Sequence, residues 1–369
     1  MADIKTCTDR ILPSDLFEEA ANRATDEEAA NVPIVTVHPG LGVAPPTPSE
    51  MAGITGKKWK NGRTLRVSFL DGDPAVQTKV EHYAHLWEPH ANISLDFGSA
   101  ADAEIRISFE EEGSWSYIGT DALTIAGAEP TMNFGWLTTE SEDEEYERVV
   151  VHEFGHALSC IHEHQNPATN IPWDKEAVYA HYAGPPNNWT RAQVDQNLFR
   201  RYSQSITQFS EFDRESIMLY PIPNELTVGD FEVGFNRRLS DTDEEFIASM
   251  YPGREKAEVE LAVDGEAAEA SIGANGEEDT FRFVVAEAGQ HTVETEGSTD
   301  VVVGLFGPDD DKALVGADDD SGQDRNARLE ASLWPGAYLL RVRHYSPTRT
   351  GDYRISVRSE VARVRRRRR

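Results

Sequence analysis

The sequence predicts an α+β domain, built on a twisted mixed sheet with one long helix, followed by an antiparallel β-sandwich. Three observations carry this. Between about residues 56 and 252, short strand-like runs alternate with segments of helical periodicity. From about residue 259 the chain changes to seven alternating runs, VELAVDG, DTFRFVV, HTVETE, VVVGLFG, ARLEASL, AYLLRVRHY and DYRISVRS, separated by Gly, Asp and Pro. Strands at such spacing build a sandwich. Finally, 369 residues of ordinary apolar content provide for more than one core.

Taken in order, residues 1–55 read as a leader, with a short amphipathic helix over 14–21 capped by Ser14. VHPGLGVAPPTPSE (37–50) reads as a linker or extended arm. LRVSFLD (65–71) is a strand, and residues 73–91 carry Val76, Val80, Tyr83 and Leu86 at helical spacing. ISLDF (93–97), AEIRISF (103–109) and PTMNFGW (130–136) follow as strands. EDEEYERVVVHEFGHALS (142–159) is a helix whose acidic start suits the dipole, with Val149, Val150 and Phe154 facing the core. Further helices are expected over 174–183, 191–200 and 241–250. Residues 253–258 read as a linker, 259–358 as the sandwich and 359–369 as a basic tail.

The net charge is −30, with 65 acidic against 35 basic residues, a surface that repels nucleic acid. Arg363 and Arg365 to Arg369 break the pattern as a like-charged end. No apolar stretch reaches the length of a membrane helix. Two cysteines, Cys7 and Cys160, are too few for a disulfide scaffold. The first residues lack the basic start and apolar run of a secretory signal. A cytoplasmic protein, another export route or an incomplete precursor are the alternatives. The sequence leaves localisation and oligomeric state open.

HEFGHALSCIH, an HExxHxxxxxH pattern, carries the chemistry. On a helix, His152 and His156 lie four residues apart and share a face, so both imidazoles reach one ion. Glu153 stands beside them, within reach of water on that ion. A catalytic zinc takes three protein ligands and keeps one open position. His162 completes the set only if the chain turns soon after Ala157. Such patterns place Gly at the turn for its positive φ. Here the residue is Ser159, at a cost of about 1 kcal/mol if its φ is positive.

HEFGHALSCIHEH, with SIMLY (216–220) downstream, resembles the astacin-like metzincins, zinc metalloproteases that carry Glu directly after the third His and an S-x-M-x-Y turn. GSWSYIGTDA (113–122) and the opening at Lys57 to Gly62 look like the same family's upper subdomain. The resemblance covers roughly 56–252. DTFRFVV, DDDSG and LWPGAYLLRV look like a bacterial pre-peptidase C-terminal domain.

The resemblance implies a zinc-dependent endopeptidase holding one catalytic zinc and acting on protein or peptide substrates. His152, His156 and His162 would be ligands, and Glu153 the general base and then acid. Tyr220 would be a switchable further ligand that stabilises the oxyanion. Met218 would form the hydrophobic floor, and Glu163 would anchor a processed N-terminus. Thr131, Met132, Asn133, Phe134, Gly135 and Trp136 would be the edge strand that pairs with an extended substrate. The competing expectation is a zinc-binding but inactive or latent scaffold with the sandwich as a binding module.

Other residues read as bland by comparison. His164 is a polar surface residue, His181 a packing residue and Cys160 a small buried one. Cys7, or a leader carboxylate such as Asp9 or Asp15, is able to block a zinc. Asp309 to Asp311 and Asp318 to Asp320 are oxygen-rich enough for Ca2+, with solvated loops as the alternative.

Overall fold

The structure, a computed structural model, describes residues 7, 10, 12–32, 56–166, 169–185, 187–199, 212–252, 258–273, 277–346 and 349–360. The Pro-rich stretch 37–50, Asp9, most of the expected linker and the arginine tail fall outside the described residues. The described residues within 1–28, 57–203 and 210–253 form one compact unit, and those within 29–56 and 254–369 another.

In the first unit, β1 (Thr64–Phe69), β2 (Ser94–Gly98), β3 (Ile105–Ser108), β4 (Ser114–Ser116) and β5 (Met132–Phe134) form a sheet in the order β2-β1-β3-β5-β4. All neighbours run parallel except β4, which is antiparallel to β5. This corrects the expected edge strand. Thr131 to Trp136 cannot be an edge, because Met132 and Asn133 pair with β3 on one side and with β4 on the other. The edge on that side is β4, Ser114–Ser116, and β2 is the opposite edge.

The leader helix α1 (Phe17–Glu27) is longer than expected and starts later. Residues Ser14–Leu16 take a tighter 3-10 turn, so Leu16 rather than Ser14 stands at the N-cap. Helix α2 (Pro74–Ala84) starts at a proline behind the Asp73 cap, whose side chain accepts from Ala75 N–H. Helix α3 (Asp143–Ala157) begins with three acidic residues. Tyr146, Val149, Val150 and Phe154 are fully buried in one core with Val76 and Val80 of α2 and Leu65 and Ile107 of the sheet. Helices α4 (Lys175–Tyr182), α5 (Arg191–Val194) and α6 (Asp241–Met250) follow. The segment expected to be a single helix from 191 continues past α5 as a π-turn, Asp195–Phe199.

The second unit holds β6 (Val259–Glu260), β7 (Ala268–Ile272), β8 (Glu278–Val285), β9 (Gly289–Gly297), β10 (Val301–Phe306), β11 (Leu314–Asp318), β12 (Arg328–Leu333), β13 (Gly336–His344) and β14 (Gly351–Ser359). They form two sheets, β11-β10-β13-β8-β6 and β12-β9-β14-β7, antiparallel except where β6 meets β8. Alternation does the work: Phe281, Phe283 and Val285 of β8 are buried between the sheets while Val284 is exposed.

Candidate metal centre

The centre is built around the end of α3. His152 and His156 sit one turn apart on a buried face, at 4% and 2% exposure. The helix ends in a Schellman motif. Cys160 N–H donates to Gly155 O (2.9 Å) and Ser159 N–H to His156 O (2.8 Å). Ser159 takes φ +78°, the left-handed conformation expected of it. Its hydroxyl donates to Lys57 O (2.6 Å), which offsets part of that strain. The turn returns the chain so that His162, fully buried, faces the first two histidines.

The Nε2 atoms of His152 and His156 each lie 3.1 Å from Nε2 of His162. Tetrahedral zinc with bonds of 2.0–2.1 Å sets its nitrogens ~3.3 Å apart, so the cluster fits a zinc site. Second partners orient the rings: His152 Nδ1–H donates to Ile217 O (2.8 Å) and His156 Nδ1–H to Cys160 O (2.9 Å). Those bonds leave each Nε2 deprotonated and able to ligate a metal. Burial first, then the neighbouring His156 and His162, hold His152 well below the ordinary imidazole range, hence neutral.

Glu153 is fully buried. Its carboxylate, a His152 nitrogen and the Cys7 thiol lie within 4.8 Å of one another. Of the three leader groups weighed above, Asp9 is undescribed and Asp15 is exposed, while Cys7 is 2% exposed at the metal cluster. Burial, then the Glu153 carboxylate, push the Cys7 thiol well up. Among the described residues, these two overlapping clusters are the groups of three or more side chains placed to hold an ion. The acidic runs at 309–311 and 318–320 are not among them. Asp318 instead accepts from Ser321 and Arg328 N–H, and Asp309 from Ala337 N–H.

Met218 is buried beneath α3. A Cβ at Gly155 would stand 2.4 Å from its sulfur, so the close approach requires glycine. Tyr220 lies against His162, with ring centroids 4.2 Å apart, and its hydroxyl donates to Cys7 O (2.5 Å). Glu163 is 8% exposed; burial pushes its carboxyl up to about 8, and it accepts from Asp213 N–H and Asn166 Nδ2. His164 is a correction. The 3-10 turn Glu163–Gln165 folds it inward to 1% exposure, stacked on His162 and bonded through Nε2 to Asn197 O. Cys160 is buried, as expected. Trp136, though not on an edge, packs against the apolar cluster that includes Cys7 and Tyr220. Sequence reasoning passed over the roles of Gly155, of Ser114 to Ser116 and of the ring-orienting Ile217, although all of them lie within HEFGHALSCIH, GSWSYIGTDA and SIMLY; Gly155, a glycine inside a helix, carried a signal of its own.

Over 54% of its length the chain is 50% identical to an astacin-like metzincin metalloprotease, and it belongs to that family. It is a zinc metalloendopeptidase. The relative is myroilysin, 97% of which is covered at a TM-score of 0.53. A second myroilysin structure is 41% identical over 68% of this chain and 99% of that one, with a TM-score of 0.43. The pre-peptidase C-terminal domain of a Bacillus anthracis collagenase is 20% identical over 28% of this chain and 98% of that domain, with a TM-score of 0.25. No family model and no curated protein matches the chain.

Proposed function

We propose that His152, His156 and His162 hold the zinc, and that Glu153 serves as base and then acid in hydrolysing a peptide bond. The observation that carries this is the convergence of three oriented imidazoles with a buried carboxylate beside them. Zinc held there supplies a Lewis acid that acidifies water and polarises a carbonyl. Glu153 takes the proton of the attacking water as oxygen bonds to the scissile carbon. It returns that proton to the nitrogen as the C–N bond breaks. Tyr220 donates its hydroxyl to the oxygen that gains charge. The substrate strand adds to β4, the edge beside β5, rather than to β5 itself.

The geometry also favours a latent form. Leu12, Leu16 and Ala20 of the leader pack on Trp115 and Tyr117, at and beside β4. Arg10 lies 4.2 Å over the Trp115 ring. The same leader carries Cys7 to the metal cluster and occupies the Tyr220 hydroxyl. This supports residues 1–55 as an inhibitory leader.

The test is zinc content with casein cleavage, before and after leader removal, for wild type and Glu153→Gln. The expected result is about one zinc per chain in both proteins, with cleavage by wild type alone and only once the leader is gone. Cleavage by a clean Glu153→Gln preparation would overturn the catalytic assignment, and full activity of the intact chain would overturn latency.

A further inference from the structure

Strands of a two-sheet sandwich bury alternate residues and turn the others outward. In β10 every residue is buried. Val301, Val303 and Leu305 face the inter-sheet core, while Val302 and Phe306 belong to a separate apolar cluster with Ala317 and Leu339. The fifth buried member of that outer cluster is Val32, from the leader.

A polar anchor sits beside it. Arg341 of β13, 5% exposed, points to the same outer face. Its guanidinium donates to three leader carbonyls: Ala29 O (3.2 Å), Ala30 O (2.8 Å) and Val32 O (3.0 Å). Glu278 holds it in place, accepting from Nε (2.7 Å) and Nη2 (3.2 Å), and the Phe306 ring lies 5.1 Å away. The leader answers with a 3-10 turn, Ala29–Asn31, that aims these carbonyls at one point. A buried arginine with fixed geometry, matched to three convergent carbonyls and an aliphatic pocket, is a built peptide-binding site rather than a passing contact.

We propose that the outer β10–β13 face of the sandwich is a binding site for the leader segment Ala29–Val32, and that it retains the leader as a bound peptide after the chain is cut. This rests on the reading of residues 1–55 as an inhibitory leader, and it gives the sandwich a part in latency. The leader then has two anchors. Residues up to Glu28 belong with the catalytic unit and Ala29–Val32 with the sandwich. Two linked contacts outlast either alone, because each keeps the other's ligand at high effective concentration. A single cut downstream of Val32 therefore does not free the active site; the leader must also dissociate or be digested.

The experiment uses the zinc-loaded full chain with Glu153→Gln, which spares the fragment from digestion. A recognition sequence for a specific protease is placed within residues 33–55. After cutting, a label on the leader reports its residence time on the body upon dilution. The cut leader is expected to co-elute with the body, and both Val32→Ser and Arg341→Ala to shorten its residence at least about tenfold. Val32→Ser alters only the leader, so the sandwich's own folding is not at stake. Residence times within about twofold of the parent in both variants, or immediate loss of the leader from the parent, would overturn the site. With Glu153 intact, hydrolysis of a reporter peptide should appear at the rate the leader leaves. Full activity while the leader is still bound would sink the latency reading, whereas the variants' effect on residence would still support the site.

Discussion

Asp243, at the third position of α6, accepts the backbone N–H of Ile217 at 2.8 Å, and the Ile217 carbonyl in turn takes the Nδ1 proton of His152. The same carboxylate accepts from the Ser216 hydroxyl and from Ser240 N–H. A residue 91 positions along the chain from His152 therefore sets the orientation of its ring. Asp243→Ala should lower zinc affinity by about 10- to 100-fold. Competition against a chromophoric chelator measures this, and unchanged affinity in a folded variant would remove Asp243 from the positioning chain.

Ser159 permits a paired test of strain against hydrogen bonding. Ser159→Ala keeps the left-handed strain and loses the bond to Lys57 O, so it should destabilise by about 1 kcal/mol. Ser159→Gly loses the bond but relieves the strain, and should lie within about 0.5 kcal/mol of wild type. Denaturant midpoints at constant slope separate the two.

Gly155→Ala should reverse the usual helix preference. Alanine gains about 1 kcal/mol in a helix interior. Here its Cβ would stand 2.4 Å from the Met218 sulfur and 3.1 Å from Trp87. A net loss of about 1–3 kcal/mol is expected. Shortening Met218 to Ala in the same chain should recover part of it, giving non-additive unfolding energies.

Glu104 should give the first unit an acid-sensitive contact. Burial works against its ionisation, but hydrogen bonds from Arg66 outweigh that and hold the carboxyl below its ordinary 4.5. A carboxylate lowered on folding contributes stability above its unfolded pKa and loses it as pH falls through the folded value. Glu104→Gln should therefore cost about 2 kcal/mol near neutrality. The gap to wild type should close as the pH falls from 4.5 through the folded value; a constant gap on acidification would exclude the linkage.

The parts legible in the sequence were those with strong local rules. The period of α3, the i,i+4 histidines, the forced turn at Ser159 and the seven alternating runs of the sandwich all depend on neighbours within a few residues. β7 and β11 escaped notice because AEASI and LVGAD are rich in Ala, Gly and acidic residues and lack β-branched repetition. The order of β4 and β5 was beyond local reading. Both are three-residue strands, and only the sheet decides which one lies outside. His164 misled for a similar reason: a polar residue beside a ligand looks solvated until a 3-10 turn folds it under Tyr220.

The bond from Ser159 to Lys57 O sets a limit on trimming this enzyme. The ligand turn leans on the first residues of the catalytic unit, where Trp59, 1% exposed, also donates its indole N–H to Ala157 O. A shortened protein starting at Lys60 would keep every residue of the zinc motif, yet lose both the acceptor that steadies the turn and the indole that closes the helix end. A fragment that keeps both contacts therefore begins no later than Lys57.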